Sequence, residues 1–82
     1  MLLSDISKII QCERILYFQN NKKVNYISSS SKTIKKNSIF VCNYKKKIKK
    51  IYFEEAIKNG AIAIITNKII HDINIPQFKV KN

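Results

Sequence analysis

Apolar residues recur at three- and four-residue spacings from Leu2 to Cys12 (Leu2, Leu3, Ile6, Ile9 and Ile10), which predicts a short amphipathic helix with one packing face. After the polar patch Gln19–Lys23, the segment Val24–Ile27 alternates apolar and polar positions and predicts a strand. Four serines, Ser28–Ser31, follow it directly, and a basic spacer leads to "SIFVC", Ser38–Cys42, a β-branched and aromatic run that reads as a buried strand. Asn43–Lys50 is a basic loop. The stretch "YFEEAIKNG" then places Phe53, Ala56 and Ile57 on one helical face. It stops at Gly60, the only glycine, where a left-handed C-cap needs it. Ala61–Thr66 is apolar almost throughout, as a strand covered on both faces of a parallel sheet should be.

Strand, loop, helix, glycine and strand in that order make a βαβ unit over 38–66, for which a right-handed crossover is expected. A polar stretch, Asn67–Asn74, passes through the single proline, Pro76, to a further predicted strand, Gln77–Val80. The expected fold is therefore α/β: a small three-layer domain with a mainly parallel sheet and an N-terminal helix. At 82 residues the chain holds one domain. A chain of this size buries only about 60% of its unfolded surface, so a truncated or accessory domain is an open reading.

Sixteen basic against five acidic side chains give a net charge of +11. Such a charge suits nucleic acid, an anionic membrane surface or phosphorylated small molecules. Two features discount nucleic acid. Ile, Lys and Asn make up half of all residues, the accumulation expected from AT-rich codons. Arg14 is the only arginine, and arginine is the side chain suited to bidentate phosphate and base-edge contacts. The N-terminus lacks a basic region followed by a long apolar run, and the longest apolar run, Ala61–Ile65, is too short to span a bilayer. With no Cys-x-x-Cys and only one histidine, neither a zinc site nor a disulfide framework is suggested, and the expected compartment is the cytoplasm.

No catalytic set stands out. A chain with one glycine cannot build a glycine-rich phosphate cradle. His71 sits alone in a polar stretch. Glu54 and Glu55 are adjacent on a helix, point in different directions, and read as solvated residues near the helix N-terminus. Cys42 lies in an apolar strand and reads as a buried, inert thiol. What remains are the loops Ser28–Asn37 and Asn43–Lys50, both following predicted strands. If those strands are parallel neighbours, both loops reach the carboxyl edge of the sheet, where α/β folds place ligands. Serine hydroxyls and backbone N–H groups can contact phosphate or ribose oxygens, and lysines add charge.

The run from Ile27 to Lys68 resembles the N-terminal domain of the Mur ligase family, closest to the branch that adds the third residue of the peptidoglycan stem peptide. In that family a strand enters an Asp-Ser-Arg loop, then a spacer, a "G-[DS]-[LI]-F-V-A" strand, a loop with Asp-Gly, and a helix–strand unit "F-I-x-x-A-I-x-x-G-A-x-A-I-I". Here Ser30-Ser31-Lys32 stand for Asp-Ser-Arg, Asn37-Ser38-Ile39-Phe40-Val41-Cys42 for the next strand, and Phe53 to Ile65 for the helix–strand unit. Asn37 takes the place of a turn glycine and is the non-glycine type that best tolerates a left-handed backbone. The aspartate has become Ser30, the arginine Lys32, and the Asp-Gly lysines, so a carboxylate and a planar fork are missing.

The resemblance implies a domain over 1–82 that holds the UDP part of a UDP-N-acetylmuramoyl-peptide. The implied substrate contacts fall on Ser29, Ser31, Lys32, Lys46 and Lys47. It also implies that amide-bond formation, with ATP and Mg2+, belongs to a central and a C-terminal domain, the partners of this one, so that these 82 residues alone are not a ligase. No cofactor or metal is expected in this chain, and no membrane partner. The alternatives are a small basic protein that binds nucleic acid or other polyanions, and a nonfunctional truncated product.

Overall fold

The βαβ unit forms as its sequence pattern requires. In the computed structural model, which describes residues 1–10, 12–16, 22–42 and 50–81, β3 (Ser38–Cys42) and β4 (Ala61–Thr66) pair in parallel across α2 (Lys50–Asn59). Before it come α1 (Leu3–Ile9), β1 (Cys12–Leu16) and β2 (Tyr26–Ser28), and after it β5 (Gln77–Val80). The sheet has five strands in the order β1-β5-β4-β3-β2. β2, β3, β4 and β5 run parallel to one another, and β1 alone runs antiparallel, against β5. Among the described residues no helix is long and apolar enough to cross a membrane.

Each face of the sheet carries a helix, the three-layer arrangement. On one face α1 lays Leu3 and Ile6 over Ile39, Ala63 and Phe78. On the other, α2 lays Phe53 and Ala56 over Phe40, Cys42 and Ile64, with the Phe53 and Phe40 rings edge-on at 5.7 Å. A register slip reconciles β4 with both faces. Ser38 faces Ala61 but Ile39 faces Ala63, so one extra residue enters β4 there. Ala61 and Ile64 consequently share the α2 face, whereas Ile62, Ala63 and Ile65 share the α1 face.

Three expectations are corrected. The N-terminal helix does not reach Cys12: Ile10 is already extended (φ −91°, ψ 141°) and Cys12 opens β1, a strand the periodicity did not predict. Its side chains Glu13 and Arg14 carry no alternation. β1 is held by its ladder to β5 and by the Glu13–Lys79 ion pair, both remote in sequence. That hydrogen bond from Lys79 holds the Glu13 carboxyl below the usual carboxylate range. The second strand forms at Tyr26–Ser28 rather than Val24–Ile27, because the Val24 N–H is donated to Met1 O as the N-terminal segment pairs beside it. Gly60 has φ +125°, outside the left-handed helical well expected of a C-cap.

The segment after β4, read as polar, packs Ile73 into the α2-side core. Two buried side chains tie it down. Thr66 Oγ1 donates to Lys68 O at 2.8 Å and accepts the Lys68 N–H at 3.2 Å. Gln77 is fully buried; its Nε2 donates to Ile70 O and Ile73 O, and its Oε1 accepts the Ile70 N–H. Satisfied in this way, a buried amide fixes the loop's backbone instead of costing stability.

Ser38 is the contrasting case. It is fully buried, and its Oγ has no hydrogen-bond partner among the described residues. An unpaired buried hydroxyl carries a desolvation cost of about 1–3 kcal/mol. Ser38→Ala is therefore expected to leave the stability unchanged or raise it by about 1 kcal/mol. The urea midpoint at constant m-value checks this, and a drop in the midpoint would show that the hydroxyl has a partner.

Candidate functional site

Because β2 and β3 are adjacent and parallel, their last residues, Ser28 and Cys42, lie towards the same carboxyl edge of the sheet, and the serine loop leaves from it. β2 is an edge strand, with Tyr26 and Ile27 half exposed. The loop opens with a local turn in which Ser28 Oγ accepts the Ser30 N–H at 3.1 Å. Ser29, Ser30 and Lys32 are exposed.

From Ser31 the loop no longer lies open. Ser31 is only 8% exposed: its hydroxyl donates to Glu55 Oε1 at 2.7 Å, and its carbonyl accepts from Asn59 Nδ2 at 3.0 Å. Ile34 is buried in the α2-side core three residues on. Lys35 Nζ lies 5.1 Å over the Tyr26 ring, a cation–π contact between the spacer and β2. Asn37 takes φ 60°, the left-handed conformation its residue type was expected to tolerate, and its carbonyl accepts the Asn25 N–H at 2.9 Å.

This geometry separates the expected contacts into two groups. Ser29 and Lys32 present a hydroxyl and an ammonium to solvent beside the sheet edge. Ser31 instead spends its only O–H proton on Glu55, so a phosphate oxygen that takes this proton must displace a carboxylate. Lys46 and Lys47 lie outside the described residues.

Glu55 and Asn59 were not singled out from the sequence, where Glu54 and Glu55 read as solvated residues at the helix start. The first turn of α2 carries no acid, Glu54 is exposed, and Glu55 is half-buried against Ser31. The signal available was spacing: Glu55 and Asn59 stand at i and i+4, one stripe beside the apolar stripe of Phe53, Ala56 and Ile57. His71 is exposed, and burial raises the Cys42 thiol above its ordinary value, which keeps it protonated and unreactive. No group of three or more His, Cys, Asp or Glu side chains that could hold a metal ion occurs among the described residues.

No protein-family model matches the chain, and no curated protein matches it significantly.

Proposed function

We propose that this chain is the N-terminal substrate-holding domain of a Mur-type ligase, of the UDP-N-acetylmuramoyl-tripeptide synthetase branch, and that it binds the UDP part of a cytoplasmic cell-wall precursor. The observation that carries the reading is positional. The serine loop leaves the carboxyl edge of β2 beside the parallel βαβ unit, in the order and spacing of the resembling motifs. In this reading Ser29 and the exposed loop backbone contact the diphosphate or ribose, and Lys32 balances its charge as a point cation. Ser31 joins them when its hydroxyl turns from Glu55 to the ligand. The ATP- and Mg2+-dependent amide-forming step belongs to other domains.

Calorimetric titration with UDP-N-acetylmuramoyl-dipeptide tests the proposal. Saturable binding is expected, weakened roughly 5- to 10-fold by Ser31→Ala, the loss of about one hydrogen bond. A thermal melt of the same variant separates that loss from loosening of the loop on α2. The competing reading, a polyanion binder, is favoured by Lys22, Lys23, Lys32, Lys35 and Lys36, all exposed on a stretch from 22 to 37 that contains no acidic residue. It predicts tighter binding of RNA or DNA, a steep salt dependence and indifference to Ser31→Ala. Weak, equally salt-sensitive binding of both ligands overturns the UDP-sugar reading and leaves the fold untouched.

A further inference from the structure

The α1 face is only partly covered. Helix α1 has seven residues, and while it seals Ile39, Ala63 and Phe78, it leaves Ile10, Cys12, Val41 and Ile65 partly exposed towards the carboxyl ends of the strands. There the surface dips into a groove of about 560 Å³ lined by Ile10, Cys12, Glu13, Ile65, Val80 and Lys81. Because β1 is antiparallel, its first residue, Cys12, stands opposite Val80, the last residue of β5, so both lie at the same sheet edge as the end of β4. The volume is within the range of small-molecule sites, and the position, outside the carboxyl ends of parallel strands, is where α/β folds take ligands. It lies on the opposite face from Ser31 and Glu55 and at the other end of the sheet from β2.

The groove's chemistry is asymmetric. Ile10, Cys12, Ile65 and Val80 make its wall apolar. At its mouth Glu13 is neutralised by its ion pair with Lys79, which leaves the exposed Lys81 ammonium as the net charge of the cluster. We propose that this groove binds a small molecule built of an apolar ring bearing one anionic group, the ring lying on Ile65 and Val80 and the anion on Lys81. A ring without the anion leaves the surplus positive charge of Glu13, Lys79 and Lys81 unbalanced, and a bare anion leaves the apolar wall wet. A polyanion finds many more cations on the exposed lysines between 22 and 36 than here.

Cys12 supplies the readout. It is partly exposed in the groove, whereas Cys42 is buried in the opposite core and serves as an internal control. The full chain is alkylated with iodoacetamide at mildly alkaline pH, since burial raises the Cys12 thiol, and each cysteine is followed by mass spectrometry. 2-Naphthoate is expected to slow Cys12 modification saturably, while the buried Cys42 stays unmodified with or without it. Neutral 2-naphthalenemethanol should protect roughly fivefold less well, the effect of one exposed charge contact. Lys81→Gln, at an exposed position, should erase that difference without moving the melting temperature. The proposal is overturned if naphthoate gives no saturable protection, or if the alcohol protects equally well. It is likewise overturned if inorganic phosphate or RNA protects equally well, or if sedimentation shows that a second copy of the chain shields Cys12.

Discussion

Phe53→Ala is expected to destabilise the domain by about 4 kcal/mol, the loss associated with truncating a fully buried aromatic. Phe53 has no exposed surface, fills the space between α2 and the sheet, and meets the Phe40 ring edge-on at 5.7 Å with the ring planes 80° apart. Truncation removes the area buried, the ring–ring contact and the partner atoms for Phe40 and Ile64, and leaves a cavity that this one-helix layer cannot close without moving α2. A chain of this length has a total stability of about 4–12 kcal/mol, so the truncation removes about a third of it or more. Urea unfolding followed by circular dichroism checks the prediction. Phe53→Leu should recover more than half of the loss, and Tyr52→Ala, at the neighbouring, 44% exposed position, should stay within about 0.5 kcal/mol of the parent. A Phe53→Ala midpoint close to the parent's would show that α2 does not pack as described.

Gly60→Ala is expected to cost about 3 kcal/mol, which for a domain of this size lowers the melting temperature by roughly 12–24 °C. Two independent constraints act at this residue. Its φ of +125° is a conformation that side-chain-bearing residues rarely adopt. A Cβ there would stand 2.5 Å from Lys36 Cα and 2.7 Å from both Lys35 O and Lys36 N, all backbone atoms that cannot swing away. The close approach has a structural purpose: the Gly60 carbonyl accepts the Ser38 N–H at 3.3 Å, so the end of α2 and the start of β3 meet at this point. Where a glycine has room and an ordinary φ, alanine stabilises by restricting the unfolded chain. The opposite sign expected here therefore distinguishes a required glycine from an incidental one. Asn37→Gly is the control. Asn37 also has a positive φ, 60°, but lies in the well that glycine and asparagine share, so its replacement should change stability by only a few tenths of a kcal/mol.

The serine loop divides into residues whose place follows from local order and residues whose place follows from packing. Ser29 and Lys32 are exposed beside the carboxyl edge, where strand order and loop position placed them. The engagement of Ser31 with Glu55 and Asn59 spans 24 and 28 residues and depends on how α2 is rotated against the loop. That pairing ties the candidate site to core packing. Truncating Phe53 or distorting Gly60 should loosen the loop as well as the fold, because the same helix presents Glu55 and the same turn holds Lys36.

What the sequence determined by itself are the features each segment encodes alone. The α2 stripe of Phe53, Ala56 and Ile57, the glycine at the helix end, the two-sided apolar run of β4 and the left-handed Asn37 each express a short-range rule. Their order implied a βαβ unit with a parallel sheet. Only the tertiary structure decided what depends on partners far along the chain. β1 exists because β5 and Lys79 are there to receive Cys12–Leu16, although Glu13 and Arg14 give it no alternation of its own. Gln77 is buried because the backbone of Ile70 and Ile73 satisfies its amide. The slip at Ser38 and Ile39 puts Ala61 and Ala63 on opposite faces, against the two-residue period of an undisturbed strand. Local propensity acts over a few residues, whereas burial and hydrogen-bond satisfaction are settled by whichever remote groups the fold brings into contact.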